Sequence, residues 1–218
     1  MTTQDARQSA PATERNRQPI LEVLLKVLPK SGTVLEIASG TGEHAVYFAS
    51  QLRNVMWLPT DVSPQARASI VAWTEHYGCQ NVYPPLELDA KETVWVLEQE
   101  TTTQLLNNSP IVAIVNINMI HISPWSACLG LMAGANRILP VGGILYLYGP
   151  FKQGGEHTAP SNAAFDEYLR SQNSEWGVRN LDDVIAVAQT EHLVLKQIYE
   201  MPANNLSVVF ERTEIAKC

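Results

Sequence analysis

Short apolar runs rich in β-branched residues alternate along the chain with longer stretches in which apolar positions recur at helical spacing. Runs of this kind indicate buried strands, and their alternation with helices is typical of βαβ units in a mostly parallel sheet. The predicted strands are Thr33–Ile37, Val55–Thr60, Leu86–Leu88, Ile111–Asn116 and Gly143–Tyr148. The predicted helices lie near Glu43–Leu52, Pro64–Tyr77, Thr93–Leu106 and Pro124–Leu139.

The end of the chain departs from this alternation. His192–Met201 and Leu206–Glu211 both have the composition of strands, and only Pro202–Asn205 separates them. A connection this short cannot hold a crossover helix, so the two strands should form an antiparallel hairpin. We therefore predict an α/β fold, a single Rossmann-like doubly wound sheet of five parallel strands with a C-terminal antiparallel hairpin. A dinucleotide-binding Rossmann domain has six parallel strands instead.

Composition narrows the class of partner. The 218 residues include 15 Lys+Arg and 22 Asp+Glu, a net charge of -7, with no basic cluster. A sequence-independent nucleic-acid binder needs a basic face, so this class is excluded. No apolar run approaches the roughly 20 residues that span a bilayer. The acidic balance favours a small neutral or cationic substrate, and we expect no membrane or nucleic-acid partner.

Three cysteines are widely scattered and form neither a disulfide framework nor a CxxC metal pair, and no HxxxH or acidic triplet is present. We therefore expect a reduced, cytoplasmic protein without a metal site, acting as a monomer or homodimer. An apolar helix is predicted at Ile20–Leu28. Residues 1–30 are expected to form an N-terminal lid segment and helix, and residues 31–218 a ligand-binding domain.

A glycine-rich turn between the first strand and the first crossover helix is the sharpest local signal. Residues 34–43 read Val-Leu-Glu-Ile-Ala-Ser-Gly-Thr-Gly-Glu, so the backbone can approach a ligand and offer amides at a helix N-terminus. A dinucleotide fingerprint requires glycine or alanine where Glu43 stands. An acid before the turn and small residues at alternate positions are the pattern of S-adenosylmethionine sites. The predicted cofactor contacts here are Glu36, Ala38, Ser39, Gly40 and Gly42.

Two further acids follow the second and third predicted strands. Asp61 lies at the carboxyl end of its strand, where a carboxylate can accept hydrogen bonds from both ribose hydroxyls of an adenosine. Its alternative role is to cap the following helix, since aspartate is a preferred N-cap residue. Asp89 could accept a hydrogen bond from the exocyclic amine of adenine, although an ordinary turn aspartate would explain it equally well.

The segment that leaves the fourth strand is the predicted reaction centre, because ligands in such sheets lie beyond the carboxyl ends of the strands. Asn116, Asn118 and His121 follow one another there in an otherwise apolar stretch. Buried polar groups are costly unless they are paired, and a polar ligand is one candidate partner. Asn116 is predicted to contact the cofactor, and Asn118 and His121 to be catalytic, with His121 a possible general base. Bonds to loop backbone and a structural role for His121 are the alternatives.

Tyr148 and a glycine-rich loop follow the fifth strand. Gly154 and Gly155 should make this loop mobile, and it should close over the same end of the sheet. Tyr148, Glu156 and His157 are therefore predicted substrate contacts. As plain surface residues of a loop, Glu156 and His157 would need no function.

These motifs carry a resemblance. The glycine turn, Asp61, Asp89 and the terminal hairpin resemble a class I S-adenosylmethionine-dependent methyltransferase over about residues 30–212. Residues 9–16, 116–125, 148–151 and 201–205 are similar to a family of uncharacterised methyltransferase-like proteins of bacteria and animals. The usual first glycine of the turn is replaced by Ala38, which its small size makes tolerable.

The resemblance implies the class I methyltransferase fold, S-adenosylmethionine as cofactor and a methyltransferase activity, with no established substrate. It also favours a lid role over the cofactor for Arg15 and Asn16, whereas solvated helix-capping charge would explain them equally well. Two other functions stay open. One is a non-catalytic, regulatory protein that binds S-adenosylmethionine or S-adenosylhomocysteine. The other is a nicotinamide-dependent oxidoreductase, which Glu43 and the hairpin disfavour.

Overall fold

A computed structural model describes residues 5–106 and 109–214. Its helices are α1 (Pro11–Val27), α2 (Glu43–Gln51), α3 (Pro64–Tyr77), α4 (Glu100–Leu105), α5 (Trp125–Ile138), α6 (Pro160–Gln172) and α7 (Leu181–Thr190). Its strands are β1 (Thr33–Ile37), β2 (Met56–Pro59), β3 (Ile111–Ile117), β4 (Ile144–Gly149), β5 (Phe151–Gln153), β6 (Glu156–His157), β7 (Arg179–Asn180), β8 (Leu193–Met201) and β9 (Asn205–Arg212). Short 3₁₀ turns cover Val96–Glu98, Met119–His121 and Pro202–Asn204.

The main sheet has the strand order β2-β1-β3-β4-β9-β8. The first four strands are parallel, and β9 pairs antiparallel with both β4 and β8. The predicted α/β sheet and its terminal hairpin are thereby confirmed. Leu86–Leu88 is wrong as a regular strand, so the sheet has four parallel strands instead of the expected five. Leu86 makes only an isolated parallel bridge with Thr60, as Val82 does with Trp57.

Two predicted helices have different bounds from those expected. The first starts at Pro11 and continues through Pro19, although a proline inside a helix removes one backbone hydrogen bond. The helix expected over residues 93–106 is wrong as one element, because a 3₁₀ turn precedes the short α4. Ser63 caps α3, since its hydroxyl accepts a hydrogen bond from the backbone N–H of Ala66 at 3.2 Å.

Helices cover both faces of the sheet. One core contains side chains of α1 and α2 packed on the sheet, with Ile20, Phe48 and Trp57 among those buried. The other contains side chains of α5 and α7, with Leu131 and Val184 fully buried. Because both faces are covered, every residue of β1 is buried. The N-terminal helix is therefore part of the core on one face of the sheet.

A second, three-stranded sheet with the order β6-β5-β7 lies beyond β4, and α6 and α7 follow β6 and β7 in the chain. The sequence pattern predicted none of these elements. Within the described part of the chain, no helix is both long enough and apolar enough to cross a bilayer.

Candidate active site

The loop between β1 and α2 is strongly turned and lies at the carboxyl edge of the parallel strands. Ala38, Gly40 and Gly42 have φ angles of 58°, 56° and 86°, all in the left-handed region. A Cβ on Gly42 would lie 2.8 Å from Cα of Ile70, so the close approach of α2 to α3 requires glycine. A Cβ on Gly40 would meet no atom within 4 Å. Open space therefore lies over the middle of the turn.

Glu36, the acid that precedes the turn, is a buried carboxyl group with 2% of its surface exposed. Its Oε2 accepts a hydrogen bond from Nε1 of Trp57 at 2.9 Å. Burial raises the pKa of Glu36 to about 7, against the opposing bonds from Trp57 and Ser39, and the charge of Asp61 adds to the rise. The carboxyl group can therefore be neutral near physiological pH. Through its hydrogen bonds with Trp57 in β2 and with Ser39 in the loop, Glu36 supports the glycine turn.

Asp61 holds the glycine turn in place. Its Oδ2 accepts a hydrogen bond from the backbone N–H of Gly40 at 2.9 Å, and its Oδ1 accepts one from the N–H of Ser63, also at 2.9 Å. The helix-cap alternative is wrong, because Ser63 is the residue that caps α3. Each carboxylate oxygen keeps a further lone pair for a ligand. The second predicted acid thus touches the turn where the open space lies.

Asp89 borders a cavity of about 210 Å³. Its Oδ1 accepts a hydrogen bond from the backbone N–H of Lys91 at 2.9 Å, and Oδ2 lies 3.4 Å from Nζ of Lys91. Val62, directly after Asp61, lines the same cavity. The chain after β2 and the segment after residue 86 therefore enclose one space. Its lining residues are Val62, Glu87, Leu88, Asp89, Glu92, Trp95 and Val96.

Asn116 carries an unsatisfied buried acceptor beside the glycine turn. It lies opposite Ile37 in the β1–β3 register, and its Nδ2 donates to the carbonyl of Ile37 at 3.0 Å. The side chain is 1% exposed, and its Oδ1 has no hydrogen-bond partner. A buried carbonyl oxygen without a donor costs about 1–3 kcal/mol. The position therefore suits a ligand that brings a hydrogen-bond donor.

A larger cavity of about 620 Å³ lies next to Asn118. It brings together four residues singled out from the sequence, Arg15, Asn16, Asn118 and Tyr148, from three separate parts of the chain. Asn118 has a left-handed backbone, with φ of 63°, at the point where β3 turns into its 3₁₀ turn. The other lining residues are Ala12, Pro19, Ile122, Pro150, Ser161, Asn162, Phe165, Pro202, Ala203, Asn204 and Asn205.

A chain of hydrogen bonds runs from α2 to this cavity. Nε2 of His44 donates to Oδ1 of Asn16 at 2.8 Å, since a carbonyl oxygen can only accept. Asn16 is in turn hydrogen-bonded to the hydroxyl of Tyr148. Burial lowers the pKa of His44 to about 4, helped by the charge of Arg17. Burial raises the pKa of Tyr148 against the opposing bond from Asn16. Both groups therefore stay uncharged near neutral pH.

His121 does not line the larger cavity, and the expected general-base role does not fit its position. The ring is 1% exposed and packs edge-on against Phe151 at 5.0 Å between centroids. Its Nδ1 accepts from the N–H of Arg179 at 3.4 Å, so the ring proton lies on Nε2. Burial lowers the pKa of His121 to about 3, and Arg179 adds to this effect. The structure thus favours the structural alternative.

Glu156 and His157 lie on β6 of the small sheet, and neither lines the larger cavity. Glu156 is exposed, whereas Nε2 of His157 lies 3.2 Å from Oδ2 of Asp166 in α6. Asp166 also pairs with Lys152 at 2.9 Å and accepts from the N–H of Val178 at 2.7 Å. This ion cluster anchors the loop to α6, and a substrate role for Glu156 and His157 stays a prediction.

The N-terminal segment is tied to the glycine turn through Glu43. Oε2 of Glu43 accepts hydrogen bonds from the N–H of Ala10 at 2.6 Å and from the hydroxyl of Thr41 at 3.0 Å. The N–H of Gln8 donates to the hydroxyl of Ser69 at 2.8 Å, which itself donates to the carbonyl of Thr41. The acid that departs from the dinucleotide fingerprint therefore fastens α1 beside the turn. Across residues 5–106 and 109–214, no cluster of three or more His, Cys, Asp or Glu could hold a metal ion.

The profile of the family described as "Protein of unknown function (DUF938)" matches residues 7–212. The chain belongs to the DUF938 family. Among solved structures, an O-methyltransferase family 2 protein from Planctomyces limnophilus in complex with apigenin is 18% identical with a TM-score of 0.71, over 93% of the DUF938 chain and 60% of the other. An O-methyltransferase family protein from Burkholderia thailandensis is 13% identical with a TM-score of 0.73, over 93% and 57%. Human N-acetylserotonin methyltransferase in complex with SAM is 12% identical with a TM-score of 0.71, over 93% and 53%.

At these identities the likeness concerns the fold alone, and it confirms the class I methyltransferase fold that the sequence motifs resemble. The DUF938 chain spans only 53% to 60% of the length of these three proteins. The activities and ligands that the names of these three proteins give therefore describe those proteins alone.

Sequence reasoning missed several residues of the larger cavity in this DUF938 chain. His44 is separated from the glycine turn only by Glu43, and nothing in the local sequence connects it to Asn16. Phe165 lies on α6, which the pattern did not predict. One signal was present: positions 12, 15, 16 and 19 recur at helical spacing, and all four line the cavity. This signal was missed because a proline usually ends or begins a helix, so a helix that starts after Pro19 was the simpler prediction.

Proposed function

We propose that this protein is an S-adenosylmethionine-dependent methyltransferase that acts on a small molecule, in the cytoplasm and as a monomer or homodimer. The observation that carries the proposal is the buried, unpartnered Oδ1 of Asn116 beside the glycine turn. It lies on the strand that leads, two residues later, to Asn118 and the larger cavity. The proposed site for S-adenosylmethionine would then lie next to the proposed site for the methyl acceptor.

The residues at the turn suit this cofactor. The open space over Gly40 admits a ligand close to the backbone. Asp61 offers oxygen acceptors for ribose hydroxyls, and Asp89 borders a separate cavity where it could accept from an adenine amine. The α-ammonium group of the cofactor would supply the donor that Asn116 lacks. Glu36 is proposed to support the turn from beneath, together with Ala38, Ser39 and Gly42.

When bound, S-adenosylmethionine supplies an electrophilic methyl group on a sulfonium, and transfer is an in-line displacement for which alignment and water exclusion provide much of the rate. Asn118 and Tyr148 are proposed to orient the acceptor. The hydrogen bond between Asn16 and Tyr148 is proposed to hold the phenol in place for this role.

The described residues that line the larger cavity include no Asp, Glu or His. The lining therefore offers no ordinary general base, and the acceptor atom should be a nucleophile that needs no deprotonation in the site. His121 is proposed to position Asn118, because its backbone N–H donates to the carbonyl of Asn118 at 3.1 Å. A Cβ on Gly149 would lie 2.4 Å from Nε2 of His121, so the ring packs directly on the end of β4.

Calorimetric titration with S-adenosylmethionine, S-adenosylhomocysteine and NAD tests the cofactor. We expect micromolar affinity for the first two and none for NAD. Asp61→Asn keeps the shape but removes the charge, and should weaken binding of S-adenosylhomocysteine at least tenfold, about 1.4 kcal/mol. Asp183→Asn, at an exposed acid in the first turn of α7, is the control and should bind normally. Binding of NAD alone would favour the oxidoreductase alternative.

The hydrogen-bond chain tests catalysis separately from binding. Asn16→Ala breaks both links and should lower methyl transfer to a small-molecule extract at least tenfold, while calorimetry with S-adenosylhomocysteine stays within twofold of wild type. His44→Gln keeps a donor to Asn16 and should retain most activity. Tight cofactor binding without transfer to any extract would support the non-catalytic alternative.

A further inference from the structure

One wall of the larger cavity carries a cation without a partner. Ala12, Arg15, Asn16 and Pro19 form the stripe of α1 that lines it. The side chain of Arg15 is exposed, and no hydrogen bond, ion pair or ring contact joins it to any residue within 5–106 and 109–214. The next arginine along, Arg17, instead lies over the ring of Tyr47, with its guanidinium 4.8 Å from the ring centroid.

Most other polar groups of the cavity are already engaged by the protein. Nδ2 of Asn162 donates to the carbonyl of Asn204 at 2.9 Å, and Nδ2 of Asn204 donates to the hydroxyl of Ser161 at 3.2 Å. Asn16 is held between His44 and Tyr148. The amide donors of these asparagines are therefore occupied, whereas the guanidinium of Arg15 is free to pair with a ligand.

The remaining surface is apolar. Ile122 and Phe165 are large apolar side chains with 45% and 39% of their surface exposed, and both line the cavity. Arg15 is the one charged side chain among the described lining residues. A ligand that suits this lining has an apolar body and an anionic group.

We propose that the acceptor is a small carboxylate with an aromatic or apolar body, whose carboxylate pairs with Arg15; this rests on the proposed function. A guanidinium presents paired donors that match the two oxygens of a carboxylate. The negative net charge of the chain suggests a neutral or cationic acceptor, but distant surface charges are screened over about 10 Å, so the lining decides.

Three molecules that share an indole ring and differ in charge provide the test: indole-3-acetate, indole-3-acetamide and tryptamine. Each is titrated by NMR into the full chain, with and without saturating S-adenosylhomocysteine. The carboxylate should bind at least fivefold more tightly than the amide, and the amine most weakly. Arg15→Gln should remove the preference, Arg15→Lys should keep part of it, and the exposed Arg53→Gln, outside this cavity, should leave it unchanged.

Equal affinity for the three molecules, tighter binding of tryptamine, no detectable binding of the carboxylate, or a preference that survives Arg15→Gln would each overturn the assignment. Binding of S-adenosylhomocysteine is measured in the same samples. If it binds while the preference is absent, only the acceptor class is wrong. If it does not bind, the proposed function fails, and the titrations without it still decide whether Arg15 selects a carboxylate.

Discussion

Replacing Glu36 by glutamine should make the folded protein more stable at pH 8 and change its stability little at pH 5. The carboxyl group is buried, and burial is the main cause that raises its pKa from 4.5 to about 7. Glutamine has nearly the same shape, and its carbonyl oxygen can still accept the Nε1–H of Trp57. The substitution therefore removes a buried charge without removing the hydrogen bond.

The magnitude comes from the difference between the two pKa values. The folded protein holds this proton more tightly than the unfolded chain does, so the contribution to stability is full below about pH 4.5 and is lost as the pH rises through about 7. At about 1.4 kcal/mol for each pH unit of that difference, the wild-type protein loses about 3 kcal/mol from this group by pH 8. Glu36→Gln avoids this loss, because glutamine does not ionise.

Urea unfolding followed by circular dichroism between pH 5 and pH 8 measures the effect. Wild type and Glu36→Gln should agree within about 1 kcal/mol at pH 5 and diverge above pH 6. Glu14→Gln, at an exposed position of α1, is the matched control and should follow wild type throughout. The reasoning is refuted if Glu36→Gln is the less stable protein at pH 8, or if the two curves stay parallel.

Two further predictions address the glycine turn and the ion cluster on α6. Gly42→Ala should lower the free energy of unfolding by more than about 2 kcal/mol, because the new Cβ would collide with Ile70. Gly40→Ala should lower it by about 1 kcal/mol, because only the left-handed backbone opposes the substitution. Equal losses for the two variants in thermal unfolding would contradict this. Although burial opposes it, pairing with Lys152 holds the pKa of Asp166 below its usual value, so its contribution is present at neutral pH and lost in acid. Asp166→Asn should therefore cost about 2 kcal/mol at pH 7 and much less at pH 3, and an equal cost at both values in urea unfolding would refute it.

The parts of the fold that were predicted correctly depend on local signals. Alternating apolar runs and helical periods identified β1, β3 and the hairpin, because burial on both faces of a sheet leaves a direct trace in residue type. The glycine turn was identified for the same reason, since only residues with small side chains suit its backbone. Four of the predicted site residues, Arg15, Asn16, Asn118 and Tyr148, were also brought to one cavity.

The failures depend on tertiary contacts. Nothing local shows that the ring of His121 is buried against Phe151 and against the backbone of Gly149. Residues 151–180 hold strands of only two or three residues, too short for any periodicity to appear. His157 faces Asp166 across this segment, a pairing that only the folded chain creates.

The two cavities draw on different stretches of the polypeptide. The glycine turn and the acids beside it come from the first half of the chain, at the ends of the central strands. The walls of the larger cavity come mainly from residues 12–19, 161–165 and 202–205, on α1, on α6 and in the hairpin turn. Exchanging these three peripheral segments would change the lining of the proposed acceptor site without altering the residues proposed to hold the cofactor. The architecture thus places the proposed cofactor site and the proposed acceptor site on different segments of one chain.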